Sequence, residues 1–145
     1  MDTAQAVERI DSVGVHPGLA RSLLRYFGES YRDERGGVLL GQRRNHSSCI
    51  AAAVFPPQLA RARDHCAFDV AGIDVVRKAV TELLDGDLRQ RTGTIVGWVH
   101  SHPGHGLFLS ASDATTLLSW VQLDQNTVAV VADPYLRVPP QGRIA

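Results

Sequence analysis

The sequence predicts an α+β or α/β fold in which helices pack on a central β-sheet. Short apolar runs bounded by Gly, Pro or Asp predict strands, and runs with apolar residues at every third or fourth position predict helices. The two kinds of segment alternate along the chain. The composition agrees, because 145 residues with 44% hydrophobic and 21% charged residues are typical of one globular domain. We therefore expect residues 1–145 to form a single domain.

The first predicted elements are a strand at residues 13–15 and a helix that begins at Pro17, a residue favoured at the first helical position. Apolar residues then recur every four positions and form one stripe: Leu19, Leu23, Phe27 and Tyr31. We expect the helix to extend through Tyr31 and to be broken at Gly36-Gly37.

Two strands are predicted next. Residues 38–40 form an apolar run that we expect to be buried and to end at residues 41–44. Residues 49–55 predict a second strand, which Pro56-Pro57 would stop. Residues 58–66 are rich in arginine and are expected to form an exposed basic loop.

The second half of the chain continues the alternation. The predicted elements are, in order, a helix at 70–85 ended by Gly86, a strand at 94–100, a loop at 103–109, a helix at 111–121, a strand at 127–132 and a short polar tail at 139–145. The apolar residues of the first of these helices stand at helical spacing, and the last strand is apolar throughout.

Several classes of protein are disfavoured. The sequence has no apolar run long enough for a membrane span, and its first residues lack the apolar core of a signal peptide. Its formal net charge of zero gives no global attraction to nucleic acid, so no nucleic-acid partner is expected. Cys49 and Cys66 are too few for a disulfide framework, so we expect reduced thiols and a cytoplasmic location.

Three of the six histidines lie within residues 100–105. Because side chains two apart on a strand project to the same face, His100 and His102 would point together, with Cα atoms roughly 7 Å apart. Asp113, at the start of the next helix, can add a carboxylate. Two histidines and one carboxylate leave a fourth tetrahedral position for water, which is the pattern of a catalytic zinc.

A zinc hydrolase of this kind also needs a group that moves protons. The chain has four glutamates, namely Glu8, Glu29, Glu34 and Glu82. Glu34 stands out because it comes just before the strand at 38–40, next to glycines, and could reach the end of a neighbouring strand. Spacing alone does not decide among the four.

Each of these features also has a plainer interpretation. The two histidines could be ordinary polar residues on one face of a strand. Ser110 and Asp113 fit a helix capping box, with Ser110 as the N-cap. His105 is best interpreted as a residue of a glycine-rich loop, and Cys66 beside His65 does not form a nucleophile pair, because neighbours in the chain rarely face each other.

The motif resembles the full signature of the JAMM (MPN+) zinc metalloproteases, also described as Mov34/PAD-1-like. His100-Ser-His102-Pro103 is followed, after a loop that ends at Leu109, by Ser110-x-x-Asp113. Other matching segments are Gly97-Trp98-Val99, Gly104-His-Gly106, residues 129–134 and Glu34-x-x-Gly37-x-Leu39-x-Gly41. The resemblance covers about residues 13–137 and is closest to the proteasome-lid deubiquitinase and the COP9-signalosome deneddylase, in a stand-alone prokaryotic form.

The resemblance implies an MPN (JAB) fold, with a mixed, curved sheet flanked by helices in a layout like that of cytidine deaminases. It implies that His100, His102 and Asp113 hold one Zn²⁺ with a bound water. Glu34 would act as general base and then protonate the leaving amine, Ser110 would donate to the oxyanion, and Ser101 would be structural. Family members usually continue with further strands, so the sheet is expected to be truncated at its C-terminal end or completed by a partner.

The implied activity is that of an isopeptidase or peptidase cutting after the C-terminal glycine of ubiquitin or a ubiquitin-like protein. Loops at 58–68 and 104–109 would govern specificity, and E1- or E2-like conjugation enzymes are expected as operon partners. The alternative is a non-catalytic MPN-type binding module, although such modules usually lack the ligands. A metallo-β-lactamase would need Asp where Gly104 stands, and a nucleoside deaminase would need Cys-x-x-Cys.

Overall fold

The computed structural model describes residues 10–55, 60–62, 65–67, 74, 76–79, 82 and 93–145. The elements are β1 (Ser12–Val15), α1 (Pro17–Gly28), β2 (Gly36–Arg44), β3 (Ser47–Val54), β4 (Ala60–Ala62), β5 (His65–Ala67), β6 (Thr94–Ser101), α2 (Ala111–Leu123) and β7 (Val128–Ala132), followed by a short 3₁₀ turn at Pro140–Gly142. The predicted strands and helices are present, with α1 between β1 and β2 and with α2 between β6 and β7.

Five strands form one mixed sheet in the order β1-β3-β2-β6-β7. Strand β2 lies at its centre and pairs antiparallel with both β3 and β6. The outer pairs, β1 with β3 and β6 with β7, are parallel. The mixed sheet flanked by helices is the α+β architecture that the sequence predicts.

Strand β2 is longer than the predicted apolar run of 38–40, because it spans Gly36–Arg44 and so includes the glycines expected to act as breaks. Gly41 lies at an irregularity in the pairing with β3. A side chain at Gly41 would collide with the Cys49 carbonyl oxygen. Glycine therefore permits close approach of the two strands here and does not end β2.

Helix α1 begins at Pro17 as predicted, and His16 Nδ1 accepts a hydrogen bond of 3.1 Å from the Gly18 N–H. Leu23 and Phe27 are buried against the sheet. The prediction that the helix extends through Tyr31 is wrong, because the helix ends at Gly28 and Tyr31 is 48% exposed. The Glu29 and Ser30 N–H groups donate back to the last turn.

The core lies on both faces of the sheet. One face packs against α1 and contains Leu23, Phe27, Leu39, Ile50, Val96, Val99, Val130 and Ala132. The other face contains Val38, Leu40, Val76, Trp98 and Trp120. Residues 38–40 alternate between these two clusters, as expected for a strand buried on both sides.

Two predictions concern the segment between β3 and β6. Within the predicted helix at 70–85, the described residues 74, 76–79 and 82 are helical, and the rest of that range lies outside the described residues. The predicted loop at 58–66 is wrong in part, because residues 60–62 pair antiparallel with 65–67. The alternation Ala-Arg-Ala is a period-two strand pattern that the basic composition masks. No helix among the described residues is both long and apolar enough to cross a bilayer.

The predicted polar tail continues the sheet. After the 3₁₀ turn, Ile144 forms an antiparallel bridge with Ala132. Val131 and Ala145 exchange two backbone hydrogen bonds of 2.8 and 2.9 Å, and the Asp133 N–H donates to the Arg143 carbonyl at 2.9 Å. The outer edge of β7 is therefore paired at residues 131–133 by the chain itself.

Candidate metal centre

Strand β6 brings His100 and His102 to one end of the sheet. His100 pairs with Gly36 of β2 and with Val131 of β7. His102 follows the last residue of β6, and its backbone N–H donates to the Ala132 carbonyl at 2.8 Å. Both side chains are buried, at 0% and 1% exposure. They thus lie at the carboxyl ends of two parallel strands, where open sheets commonly place ligands.

Three donor atoms meet at this point. The Nε2 atoms of His100 and His102 are 3.0 Å apart. Asp113 Oδ2 lies 3.1 Å from each of them. Among the described residues, His100, His102 and Asp113 are the group of metal-ligating side chains that lie close enough together to hold one ion.

The size of this triangle suits zinc. Ligand atoms held about 2.0–2.1 Å from one tetrahedral zinc ion stand about 3.3 Å from one another. The three observed separations of 3.0–3.1 Å are close to that value. Imidazole nitrogens with a carboxylate oxygen are also ligands that zinc prefers. The donor set therefore fits the implied ion in both chemistry and spacing.

The orientation of His102 exposes a lone pair to the centre. Its Nδ1 lies 3.1 Å from the Gly106 carbonyl oxygen, and because a carbonyl only accepts, Nδ1 carries the proton. Nε2 of a neutral His102 then has a lone pair directed at the triangle. Burial and the neighbouring His100 lower the pKa of His102, which favours this neutral form. A hydrogen bond from the outer ring nitrogen to a carbonyl is typical of metal-ligating histidines.

His100 is held in place by packing. Its ring stacks on Trp98, with centroids 4.5 Å apart and planes inclined by 14°. Within the described part of the chain, His100 Nδ1 has no hydrogen-bond partner. The flat Trp98 surface therefore sets the plane of the ring, whereas a backbone carbonyl sets that of His102.

Asp113 belongs to both the helix cap and the triangle. Ser110 Oγ accepts the Asp113 N–H at 3.1 Å, and Asp113 Oδ2 accepts the Ser110 N–H at 2.8 Å, so a reciprocal capping box begins α2. Burial would raise the pKa of Asp113, but hydrogen bonding to His100 and to the Ser110 N–H lowers it well below its usual value. The cap thus presents an ionised carboxylate to the two histidines.

Glu34 reaches the same centre from the segment just before β2. The antiparallel register that pairs Gly36 with His100, continued outward, brings Glu34 opposite His102. Its side chain is buried, and Oε1 lies 3.7 Å from His102 Nε2. Ser101 fixes the backbone of Arg35, the residue after Glu34, through two hydrogen bonds. Ser101 Oγ accepts the Arg35 N–H, and the Ser101 N–H donates to the Arg35 carbonyl, each at 2.9 Å.

The other histidine of the cluster, the two cysteines and Phe108 contribute no ligand atom to the triangle. His105 is an exposed loop residue, and its ring centroid is 6.4 Å from that of His102. Cys49 is a free, exposed thiol on β3, and the side chain of Cys66 lies outside the described residues. Phe108 packs against the His102 ring, with centroids 4.7 Å apart, although 52% of the residue is exposed.

Sequence reasoning missed one buried residue near the centre. Asp133, at the end of β7, is 1% exposed, and its carboxylate accepts the N–H groups of Gly104, Gly106 and Tyr135 at 3.0, 2.8 and 3.0 Å. The available signal was an acidic residue between an apolar strand and Pro134. That pattern indicated only the end of a strand.

Comparisons with known proteins agree with the fold and indicate a family. A family model described as prokaryotic homologues of the JAB domain matches residues 16–137. Ubiquitin carboxyl-terminal hydrolase RPN11 of Saccharomyces cerevisiae is 40% identical over 77 residues, which are 49% of this chain and 25% of that protein. The 26S proteasome non-ATPase regulatory subunit 14 of Dictyostelium discoideum is 36% identical over 101 residues, 68% of this chain and 30% of that protein.

The mixed sheet and its buried cluster of two histidines and a carboxylate define an α+β protein with a candidate metal centre. The chain belongs to the family of prokaryotic JAB-domain homologues, whose model matches most of its length. The resemblance to the JAMM/MPN+ family that the motifs indicated is thereby confirmed at the level of the family. The matched part of the chain spans less than a third of the length of either relative.

Proposed function

We propose that this chain is a zinc-dependent peptidase or isopeptidase that cuts after the C-terminal glycine of a ubiquitin or ubiquitin-like protein. The observation that carries the proposal is the buried triangle of His100, His102 and Asp113, with separations of 3.0–3.1 Å, beside the Glu34 carboxylate. A structural role alone does not explain why three such donors converge with a second acidic group, Glu34, out of water.

The proposed mechanism assigns one task to each side chain. His100, His102 and Asp113 hold the zinc ion. Zinc, when bound, lowers the pKa of a coordinated water and polarises the scissile carbonyl. Glu34 Oε1 takes a proton from the attacking water and later gives it to the nitrogen of the leaving amine. Burial of Glu34 keeps bulk water from competing for that proton.

Ser110 is assigned the oxyanion contact. Its Oγ accepts the Asp113 N–H, so its own proton is available to donate, either to Ser112 Oγ at 3.1 Å or to a substrate oxygen. A donor directed at developing negative charge is typically worth a factor of about 10²–10³ in rate. Ser110 would thus cap α2 and serve the reaction with the same hydroxyl.

The substrate class rests on the relatives and on the surface beside the centre. The yeast relative is named a ubiquitin carboxyl-terminal hydrolase. Phe108, which packs against His102, and Leu109, which follows it in the chain, are 52% and 43% exposed and offer apolar contacts for an extended tail. We propose that such a tail adds along a sheet edge.

E1- and E2-like conjugation enzymes remain the proposed partners, and the cytoplasm remains the proposed location. The proposed domain is 1–145 as a whole.

The test combines metal content with turnover. We expect the purified chain to contain about one zinc per molecule and to cleave a ubiquitin-like fusion at the bond after its terminal glycine. A chelator should abolish cleavage, and added zinc should restore it, because the ion supplies the activated water. Zinc analysis and a gel-based cleavage assay measure both. A chain that binds no metal when purified without chelator would instead be a non-catalytic binding module.

Replacing Ser110 separates its two proposed tasks. Ser110→Ala should lower the free energy of unfolding by about 1 kcal/mol through loss of the N-cap. It should also lower kcat by about 10²–10³-fold through loss of the oxyanion donor. Ser110→Thr keeps a hydroxyl and should restore most of both. Thermal unfolding and steady-state kinetics measure the two effects; a Ser110→Ala variant with reduced stability and unchanged kcat would leave Ser110 as a cap only.

A further inference from the structure

Asp133 is a buried carboxylate that the proposed reaction does not use. In the described part of the chain it forms no ion pair, and its partners are three backbone N–H groups and nothing basic. A buried carboxylate is costly unless hydrogen bonds satisfy it. The contacts with Gly104, Gly106 and Tyr135 are therefore the interactions that make its burial tolerable, and two of the three lie in the loop after His102.

We propose that Asp133 is a positioning residue for the metal centre: it holds the 104–106 loop so that the Gly106 carbonyl keeps the His102 proton on Nδ1. The proposal rests on the proposed zinc site. Asp133 Oδ2 accepts the Gly106 N–H at 2.8 Å, and the Gly106 carbonyl accepts from His102 Nδ1 at 3.1 Å. Gly106 thus connects the Asp133 carboxylate, just after β7, to His102, just after β6.

The loop does not reach this shape through ordinary backbone conformations. Gly104 and Gly106 have φ values of 74° and 90°, in the region that residues other than glycine rarely adopt. A Cβ at Gly104 would also lie 2.9 Å from the Tyr31 hydroxyl. Because glycine has many alternative conformations, an external contact must select this one, and Asp133 bonds both glycine N–H groups.

The Asp133 side chain is itself well anchored. Its backbone N–H donates to the Arg143 carbonyl at 2.9 Å, and its Oδ1 bonds the Tyr135 N–H. Tyr135 in turn donates from its hydroxyl to the Gly28 carbonyl at 2.6 Å. The carboxylate therefore provides a fixed reference from which the loop, and through it the His102 ring, takes its orientation. Outer partners of metal-ligating histidines typically contribute about 10–100-fold to metal affinity.

Asp133→Asn is the informative variant, because it keeps the shape of the side chain. The amide oxygen can retain the bonds to Gly104 and Tyr135, but its NH₂ group then faces the Gly106 N–H, and two donors cannot bond. The control is Asp124→Asn. Asp124 likewise accepts a backbone N–H, that of Asn126 at 2.9 Å, and pairs with Arg43. It lies at the other end of α2, about 16 Å along the helix from Asp113.

The readout is the tautomer of His102 in the full chain labelled with ¹⁵N and freed of zinc. Long-range ¹H–¹⁵N correlations distinguish a proton on Nδ1 from one on Nε2. We expect Nδ1–H in the wild type and in Asp124→Asn, and a mixture of tautomers in Asp133→Asn. We also expect a zinc Kd raised about 10–100-fold in Asp133→Asn and changed less than about twofold in the control.

Two results would overturn the proposal: a wild-type His102 protonated on Nε2, or an Asp133→Asn chain with an unchanged tautomer and zinc Kd. If Asp133→Asn does not fold, hydrogen exchange in the wild type decides. The Gly104, Gly106 and Tyr135 amides should then open together with the His102 Nδ1–H, and independent opening counts against the proposal. A chain that binds no zinc defeats the proposed function, yet the tautomer comparison in the zinc-free chain still decides the role of Asp133.

Discussion

Replacing Glu34 with glutamine should leave zinc bound and reduce kcat by about 10²–10⁴-fold, the range that general acid–base groups contribute. Glutamine has the same length as glutamate and keeps the space beside His102 filled. It cannot take a proton from water or return one to the leaving amine. The measurement is kcat for cleavage of a ubiquitin-like fusion together with zinc content per chain, and zinc content should equal that of the wild type.

The matched control is Glu29→Gln. Glu29 is an exposed glutamate in the segment between α1 and β2, and its Oε2 lies 3.4 Å from Arg35 Nη1. Because exposed pairs of this kind contribute little, this variant should keep both stability and turnover. Turnover by Glu34→Gln at the wild-type rate would show that Glu34 is not the proton-transfer group. Equal losses in the two variants would point to a general effect of charge near Arg35.

Removal of His102 should abolish zinc binding and with it hydrolysis. His102→Ala deletes one of three ligands, so its effect on the zinc Kd should exceed the roughly 10–100-fold that loss of an outer partner causes. It also removes the side chain that Phe108 packs against, so the folded state should be checked by circular dichroism. Competition with a chromophoric chelator measures the affinity, and the cleavage assay measures the activity.

His105→Ala is the control for this experiment. His105 lies in the same loop and is exposed, and its ring lies outside the triangle. Its loss should leave zinc affinity and turnover near those of the wild type. A His102→Ala chain that still binds zinc with wild-type affinity would contradict the proposed ligand set, and so would an equal loss in His105→Ala.

The strands that end abruptly were the most predictable elements. Both β6 and β7 lie within one residue of their predicted ranges, since Pro103 and Asp133-Pro134 close apolar runs in the sequence itself. The extent of β2 was not predictable in this way. Whether Gly41 breaks a strand or allows close approach depends on the Cys49 carbonyl across the sheet, which the local sequence does not reveal.

The candidate site was likewise predictable from the sequence only in part. The spacing of His100 and His102 follows from the period of a strand, and the link between Ser110 and Asp113 follows from the geometry of a helix N-terminus. Spacing alone left Glu34 as one of four glutamates, and only the resemblance to the JAMM family singled it out. The β2–β6 register then placed it opposite His102. Asp133 was missed altogether, because its importance lies in hydrogen bonds to a loop that is distant in the chain.

The sequence by itself determined the residue types of the site, the strand and helix that carry them, and the family to which the chain belongs. Only the tertiary structure decided that three donor atoms stand 3.0–3.1 Å apart, that Glu34 lies beside them and that Asp133 holds the loop behind His102. The physical reason is the separation along the chain of the residues that interact. Side-chain periodicity and capping depend on dihedral angles within a few residues, whereas strand register and loop shape depend on hydrogen bonds between distant parts of the chain.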